Sequence, residues 1–490
     1  MTPVSSSGAG GISAAVRETH VSTLFFIGDR VYKLKKPVTL DFIDLSTPAA
    51  REHICRREVE LNRRLAPDVY LGVAEVLGTD GAPCDSLVVM RRMPDERRLS
   101  TLIQQQGSVD DCLREVARVI AAFHSGAETS PEIARAGSIE VVRAHWESSF
   151  VTMEPFVGEV LDAEVAARVA TLARRYLDGR ARLFAARIDH GKVRDGHGDL
   201  LADDIFCLDD GPRILDCIEF DDELRYGDVL ADVAFLAMDL ERVGAPDAGV
   251  RFLDWYREFS GETYPTTLVH HYIAYRAHVR AKVACLRVAQ GDDTAGNEAA
   301  QLLELAHDHL RKGRVVLALV GGLPGTGKST LATDVADRLG WTVLRSDEIR
   351  KDLAGIGHTT RRDDAYGDGI YDERSTNVTY ETLLNRAQSL LALGEPVILD
   401  ASWSASRWRE AARAIADDTA ADLVELRCDA PTEIAAHRLV ARVASGTDVS
   451  DATGAVAARM AGTVDAWPTA ATIDTSKSRE ESAIAALARL

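Results

Sequence analysis

Gly322-Leu323-Pro324-Gly325-Thr326-Gly327-Lys328-Ser329, with Thr330 opening the segment that follows, places a lysine and a hydroxyl at the end of a glycine-rich turn. The spacing G-x-x-x-x-G-K-[ST] makes a phosphate cradle: glycines let the backbone wrap closely, its N–H groups point inward, and a helix N-terminus adds positive potential. Lys328 then reaches the β- and γ-phosphates of ATP, and the Ser329 hydroxyl is a ligand for Mg²⁺. Downstream, Ser346-Asp347-Glu348-Ile349-Arg350 follows a short apolar run. Asp347 is either the carboxylate that takes a proton from an acceptor hydroxyl or a helix cap. Arg350 is either a clamp on an anion or an exposed charge. Val397-Ile398-Leu399-Asp400 ends another apolar run, so Asp400 is a carboxylate beside the metal or a simple strand-end turn residue. Arg438 and Arg442 lie four apart on a helix beginning near Thr432, ahead of the polar stretch 445–453. They are lid arginines for the γ-oxygens or solvent-facing charges.

A second constellation stands earlier in the chain. His197-Gly198-Asp199-Leu200 is followed by Asp204, then by Ile218-Glu219-Phe220, Gly227-Asp228 and Asp232. Phosphoryl transfer asks for one carboxylate at the acceptor hydroxyl and further oxygen ligands around magnesium; Asp199 fits the first, Asp204 and Glu219 the others. Upstream, Val31-Tyr32-Lys33-Leu34-Lys35 reads as a strand with both lysines on one face, and Glu58 sits on the helix after it. A helix read over Tyr272 to Arg287, preceded by His270 and His271, carries Arg276, His278, Arg280, Lys282 and Arg287. It either holds an anionic substrate beside the acidic loop or is an exposed face paired with local acids. Trp403 and Trp408 stack on a substrate ring or pack in a core.

The elements that must carry these residues divide the chain. A chain of 490 residues exceeds one ordinary core. Residues 1 to 14 read as a Ser/Gly-rich disordered leader. Residues 15 to 312 mix short β runs (about 15 to 95, including His20 to Ile27, with a helix around Arg56 to Leu65) with a mainly helical part (about 96 to 312, interrupted by a strand-like stretch, Asp204 to Phe220). A helix over Glu298 to Lys312 leads into residues 313 to 490, where the apolar run Arg314 to Val320 and runs at Thr342 to Leu344, Pro396 to Leu399, Leu423 to Leu426 and Thr472 to Ile473 alternate with helices. That alternation is the pattern of a parallel sheet built from βαβ units.

Bulk composition narrows the partners. The formal net charge of −19 opposes attachment to long nucleic acid or an anionic membrane. No apolar run reaches the length of a membrane span. The seven cysteines are scattered without a CxxC pair, which argues against a disulfide framework or zinc ribbon and for a reducing cytoplasm. Cys207 and Cys217 read as buried apolar fillers.

From Gly322 to the Arg438/Arg442 lid, the second half resembles the P-loop kinases that include polynucleotide kinases, zeta toxins and gluconate kinase. The resemblance implies an α/β P-loop fold with Asp347 as catalytic base, Arg350 as substrate clamp, Asp400 as metal partner, and lid arginines. Residues 15 to 290, through the His-Gly-Asp motif and the acidic residues after it, resemble the aminoglycoside phosphotransferase and choline kinase group. That implies an α+β bilobal, protein-kinase-like fold in which Lys33 or Lys35 binds phosphate, Glu58 pairs with it, Asp199 is the base, and Met90 to Met93 form the hinge against adenine. The group usually has Asn where this chain has Asp204 and Asp where it has Glu219, and the strand pair around Phe26-Ile27-Gly28-Asp29 lacks a G-x-G loop. The expectation is an ATP- and Mg²⁺-dependent phosphotransferase with two nucleotide sites, acting on small-molecule hydroxyls. Its rivals are a regulatory nucleotide-binding protein with a degenerate first half, and a kinase of nucleic acid 5′ ends.

Overall fold

The computed structural model describes residues 14–19, 21–40, 43–357, 369–445 and 454–490. Apart from Ala14, the leader lies outside the described residues, as does His20. The chain divides into two compact units. The first comprises residues 1–169, 184–264 and 269–309; the second comprises 170–183, 265–268 and 310–490.

The first unit opens with β1 (Ala14–Glu18), β2 (Ser22–Ile27), β3 (Arg30–Lys35), and a short ladder of β4 (Thr39–Leu40) and β5 (Ile43–Asp44). Helix α1 (Pro48–Asn62), β6 (Tyr70–Leu77) and β7 (Pro83–Arg91) complete an antiparallel sheet in the order β1-β2-β3-β7-β6. Helices follow: α2 (Leu99–Gln104), α3 (Asp110–Gly126), α4 (Pro131–Ala136), α5 (Ile139–Met153), α6 (Ala163–Asp178) and α7 (Ala181–Asp189). Between α7 and α8 (Val229–Arg242) come β8 (Val193–Asp195), β9 (Ile205–Leu208), β10 (Gly211–Ile214) and β11 (Tyr226–Asp228). The helices α9 (Pro246–Ser260), α10 (Thr266–Ala289) and α11 (Ala295–Lys312) follow.

Helix α1 starts well before the sequence reading put it, because Thr47 caps it by accepting from Ala50 N at 3.2 Å and Pro48 occupies the first turn. Its apolar residues Cys55 and Val59 pack on Val31, Val88 and Met90 of the sheet. The expected strand over Asp204 to Phe220 is instead the hairpin β9–β10 followed by irregular chain. Helix α10 begins at Thr266, so His270 and His271 lie within it. One cysteine reading is corrected: Cys207 on β9 is bridged to Cys112 on α3, across a sequence separation of 95 residues. Nothing in local spacing signals that pair; only the fold brings α3 to the hairpin. Cys217 is free and buried, as read.

The second unit carries β12 (Val316–Gly321), α12 (Lys328–Leu339), β13 (Thr342–Arg345), α13 (Ser346–Leu353), α14 (Glu373–Ala392), β14 (Val397–Asp400) and α15 (Ser406–Asp418). After them come β15 (Asp422–Asp429), α16 (Thr432–Ser445), α17 (Gly454–Ala461), β16 (Ala471–Asp474) and α18 (Arg479–Leu487). The sheet runs β13-β14-β12-β15-β16, every pair parallel. All of β12 is buried, as a strand covered on both faces requires. Its register matters for function: Val320 of β12 and Arg345 of β13 both sit opposite Asp400. The segments following β12 and β13 and the last residue of β14 therefore meet at one carboxyl edge, where parallel sheets place ligands.

Leu319 is fully buried in the central strand of that sheet. Leu319→Ala is expected to lower the unfolding free energy of this unit by about 2–5 kcal/mol in a denaturant titration.

Candidate functional site

In the first unit the alternation of β3 turns Lys33 and Lys35 to the same face, and α1 presents Glu58 to both. Lys33 Nζ lies 2.8 Å from Glu58 Oε1 and 2.9 Å from Asp216 Oδ1. Lys35 Nζ lies 2.7 Å from Glu58 Oε2 and 2.6 Å from Glu219 Oε1. Glu58 is fully buried, so its charge survives only because both carboxylate oxygens face ammonium groups. Burial pushes its acidity toward neutrality, but the two lysines outweigh that and hold the carboxyl below its usual range. Burial likewise opposes the charge of Lys33, yet Asp216 and Glu58 keep its ammonium well above the ordinary value.

The sequence reading named Glu219 as the second acidic ligand; in the fold its carboxylate is turned to Lys35. The carboxylate that faces Asp199 and Asp204 electrostatically is Asp216, with Lys33 holding it below its ordinary range. Asp216, two residues past the end of β10, takes a positive φ of 63°, which an aspartate tolerates better than most residues. A signal existed: Ile214-Leu215-Asp216 repeats the Ile398-Leu399-Asp400 ending that singled out Asp400.

Burial pushes the Asp199 carboxyl up to about 6, with Arg280 pulling the other way and Asp216 adding to the rise. Burial, then Asp216 and Asp199, lift Asp204 well above the carboxylate range. Among the described residues no three His, Cys, Asp or Glu side chains converge as a self-sufficient metal site. Mg²⁺ asks for less, since it keeps water and takes one or two carboxylates together with substrate phosphates. The donor set fits it, because the crowded negative charge that lifts Asp204 is what a divalent cation relieves.

The loop bearing Asp199 is held from below by α8. Asp232 accepts from His197 N at 2.7 Å and Gly198 N at 2.9 Å, and lies 3.1 Å from His124 Nε2. Burial opposes that carboxylate, but His124 and the loop amides hold it well below its usual range. Burial drives His197 down to about 4, so its neutral ring bonds Leu215 O at 3.1 Å and ties the loop to the segment of Asp216. Met90 and Met93, expected at the hinge, are both in the core between the sheet and the β9–β10 hairpin.

In the second unit the loop 322–327 turns between β12 and α12. Gly325 has φ 83°, and a Cβ there would lie 2.6 Å from Ala435 O; Gly327 has φ 85° at the cap of α12. Only glycine tolerates both demands. Lys328 Nζ donates to Leu323 O at 3.1 Å, and Thr326 Oγ1 to the same carbonyl at 2.7 Å, so the lysine folds back over its own loop. Asp400 bonds the Ser329 hydroxyl; burial raises its acidity value while Lys328 and that hydrogen bond oppose the rise, and Asp347 adds to it. The four side chains thus share one electrostatic neighbourhood at the sheet edge. Asp400 and the Ser329 hydroxyl are a donor pair of the kind Mg²⁺ takes beside phosphates. Arg438 of α16 reaches the same loop: its Nη2 donates to Thr475 O at 2.7 Å, and its buried Nη1 has no hydrogen-bond partner among the described residues. Thr475 in turn donates to Thr326 O at 2.6 Å.

The remaining predicted positions are placed as follows. Arg350 is buried, its Nη1 donating to Ile370 O at 2.9 Å and its guanidinium 4.9 Å from the centre of the Tyr371 ring. It is packed into its own unit rather than exposed. The side chain of Arg442 and the stretch 446–453 lie outside the described residues. Trp403 is fully buried, its Nε1 on Leu399 O, and Trp408 stacks on Tyr380 at 5.0 Å. No helix among the described residues is long and apolar enough to cross a membrane.

With this geometry in hand, comparison with known proteins is informative. The model of a phosphotransferase enzyme family matches residues 29–270, and that of an AAA domain matches residues 317–466. An uncharacterized protein of Mycobacterium tuberculosis and another of Mycobacterium bovis are each 42% identical over 467 residues, spanning 95% of this chain and 93% of theirs. Among solved structures, a choline/ethanolamine kinase family protein from Mesorhizobium loti shares 13% identity over 62% of this chain and 94% of its own, with a TM-score of 0.36. A gluconokinase from Sinorhizobium meliloti shares 17% over 36% of this chain and 90% of its own, with a TM-score of 0.26. Both halves are kinase-like, the first of aminoglycoside phosphotransferase type and the second of P-loop type. The chain belongs to the family of these mycobacterial proteins, joining a phosphotransferase-type half to a P-loop kinase-type half.

Proposed function

We propose that the protein is an ATP- and Mg²⁺-dependent phosphotransferase with two nucleotide sites, each moving the γ-phosphate to the hydroxyl of a small molecule. The observation that carries the reading is the gathering of Lys328, Ser329, Asp347 and Asp400 at one sheet edge beneath Arg438. Residues of the glycine-rich loop, Gly322 to Thr330, hold the phosphates through backbone N–H groups, and Lys328 neutralises the β- and γ-oxygens. Arg438, its Nη1 unengaged, stabilises the charge that spreads over the transferring group. Asp347 takes the proton of the acceptor hydroxyl as its oxygen bonds to phosphorus and the bond to ADP breaks. Ser329 and Asp400 would hold Mg²⁺, which would supply charge neutralisation for the phosphates.

In the first half Asp199 is the base, Lys33 with Glu58 positions the α- and β-phosphates, and Asp204 with Asp216 holds the metal. Lys35 serves instead to hold Glu58 and Glu219 in place. Reliance on ATP assigns the protein to the cytoplasm. The net charge of −19 favours small acceptors over long nucleic acid.

Calorimetry with MgATP is expected to find two sites in the full chain and one in Lys328→Ala, with the fold intact by thermal melting. Two sites surviving in Lys328→Ala sink the P-loop assignment. Lys33→Ala removes the other site. Lys35→Met, which strips one counter-ion from the buried Glu58, costs about 3–5 kcal/mol of stability and leaves MgATP stoichiometry at two. Because Asp199 acts only when deprotonated and burial pushes it up to about 6, turnover by the first half falls as pH drops through that value. Asp199→Asn abolishes this limb and lowers turnover about 10²–10⁴-fold; a pH profile unchanged in the variant overturns the role.

A further inference from the structure

One face of the helix α10 carries cations that form no ion pair with any described carboxylate. One side is packed: His271 Nε2 lies 3.4 Å from Trp146 Nε1, and His278 Nδ1 lies 2.9 Å from Ser149 Oγ, both on α5. Burial drives both imidazoles down to about 3, so this side is neutral. At about 100° per residue, positions 276 and 280 point some 160° away from His278. Arg276 Nε donates to Ala231 O at 3.1 Å, and its guanidinium lies 4.7 Å from the centre of the Phe235 ring. Ala231 directly precedes Asp232, the residue that holds the backbone of His197 and Gly198. Arg276 is thereby anchored on the same helix turn that anchors the loop of Asp199.

Arg280 follows one turn later, half-buried, with no hydrogen bond or ion pair to any described residue. Asp199 feels the charge of both arginines, that of Arg280 more strongly. Neither forms an ion pair with a carboxylate among the described residues, in contrast to Arg287 at the far end of α10, which is paired with Asp292 and Glu298. Lys282 likewise forms no ion pair among the described residues, and burial lowers its acidity value. The acids on this side, Asp221 and Glu223, are felt by His145 but form no ion pair with these cations. Two partly buried guanidinium groups without a counter-ion are costly, and their planar forks match carboxylate or phosphate oxygens.

We propose that the acceptor of the first half is an anion, a hydroxyl compound bearing a carboxylate or phosphate group that Arg276 and Arg280 hold beside Asp199. The proposal rests on Asp199 as the base of that half. The anionic group docks on the arginines and the free hydroxyl meets Asp199. The proton passes to the carboxylate, the acceptor oxygen bonds to phosphorus, and the bond from phosphorus to ADP breaks. Cationic amino sugars or quaternary ammonium alcohols meet two like charges here and are rejected.

The test uses the full chain carrying Lys328→Ala, so that only the first half turns over, and follows ADP release with MgATP. Glycerol, glycerate, glycerol 3-phosphate, choline and kanamycin serve as matched probes. Glycerate or glycerol 3-phosphate is expected to raise turnover above the ATP-only rate, the better of the two naming the group recognised. Arg280→Glu is then expected to raise its KM at least about tenfold while kcat changes less, and Arg280→Lys to restore much of the loss. Arg276→Ala provides a second variant should Arg280→Glu melt early. Choline or kanamycin as the best acceptor, no response to any anion with MgATP binding intact, or a KM indifferent to Arg280→Glu each overturns the anionic acceptor. Loss of the first half's MgATP site from the starting protein would instead overturn the underlying assignment of a nucleotide site.

Discussion

A single buried carboxylate, Glu58, organises the first unit. It has no access to water, and each of its oxygens is matched by a lysine from β3. Each lysine spends its remaining charge on a different acid of the segment after β10, Lys33 on Asp216 and Lys35 on Glu219. One charge on α1 thus fixes a strand and, through it, the position of the segment after β10. The chain has a strong reason to keep Lys35 in register, because removing it leaves the buried Glu219 without its lysine and Glu58 with one counter-ion fewer. Alternation along β3 makes the arrangement feasible, since residues two apart share a face.

The second unit reaches a comparable concentration of charge by another route. Its sheet is parallel, so every strand delivers its carboxyl end to the same edge. Loop 322–327, Asp347 and Asp400 arrive there without long side-chain reach, because β12, β13 and β14 are adjacent and in register. In the first unit the charged side chains are gathered by ion pairs; in the second they are gathered by backbone topology. That difference explains why the second site has a short, local sequence signature and the first has a scattered one.

Legibility in the sequence followed the same line. Gly322 to Ser329 could be read directly, because the loop's geometry is set by residues within the loop. Alternating apolar runs gave away the parallel sheet, and the lysines' shared face came from strand periodicity. The Ile-Leu-Asp ending marks Asp216 in the sequence, but its contact with Lys33, which is remote in sequence, and its backbone angle are set by the fold. Glu219 was read as a ligand because its spacing suited one, whereas the fold turns it to Lys35. The packing of Arg350 on Ile370 and Tyr371 likewise depends on a return of the chain that local pattern does not encode.

The bridge between Cys112 and Cys207 ties α3 to the strand that follows Asp204. In the folded protein these elements are already neighbours, so the bond adds little that packing does not supply. Its weight falls on the unfolded chain. Closing a loop of this size removes conformational freedom worth roughly 4–5 kcal/mol, most of it from disordered states. The oxidised and reduced chains unfold into two different ensembles. Keeping or breaking this one bond therefore changes the stability of the chain without calling on any contact of the folded state.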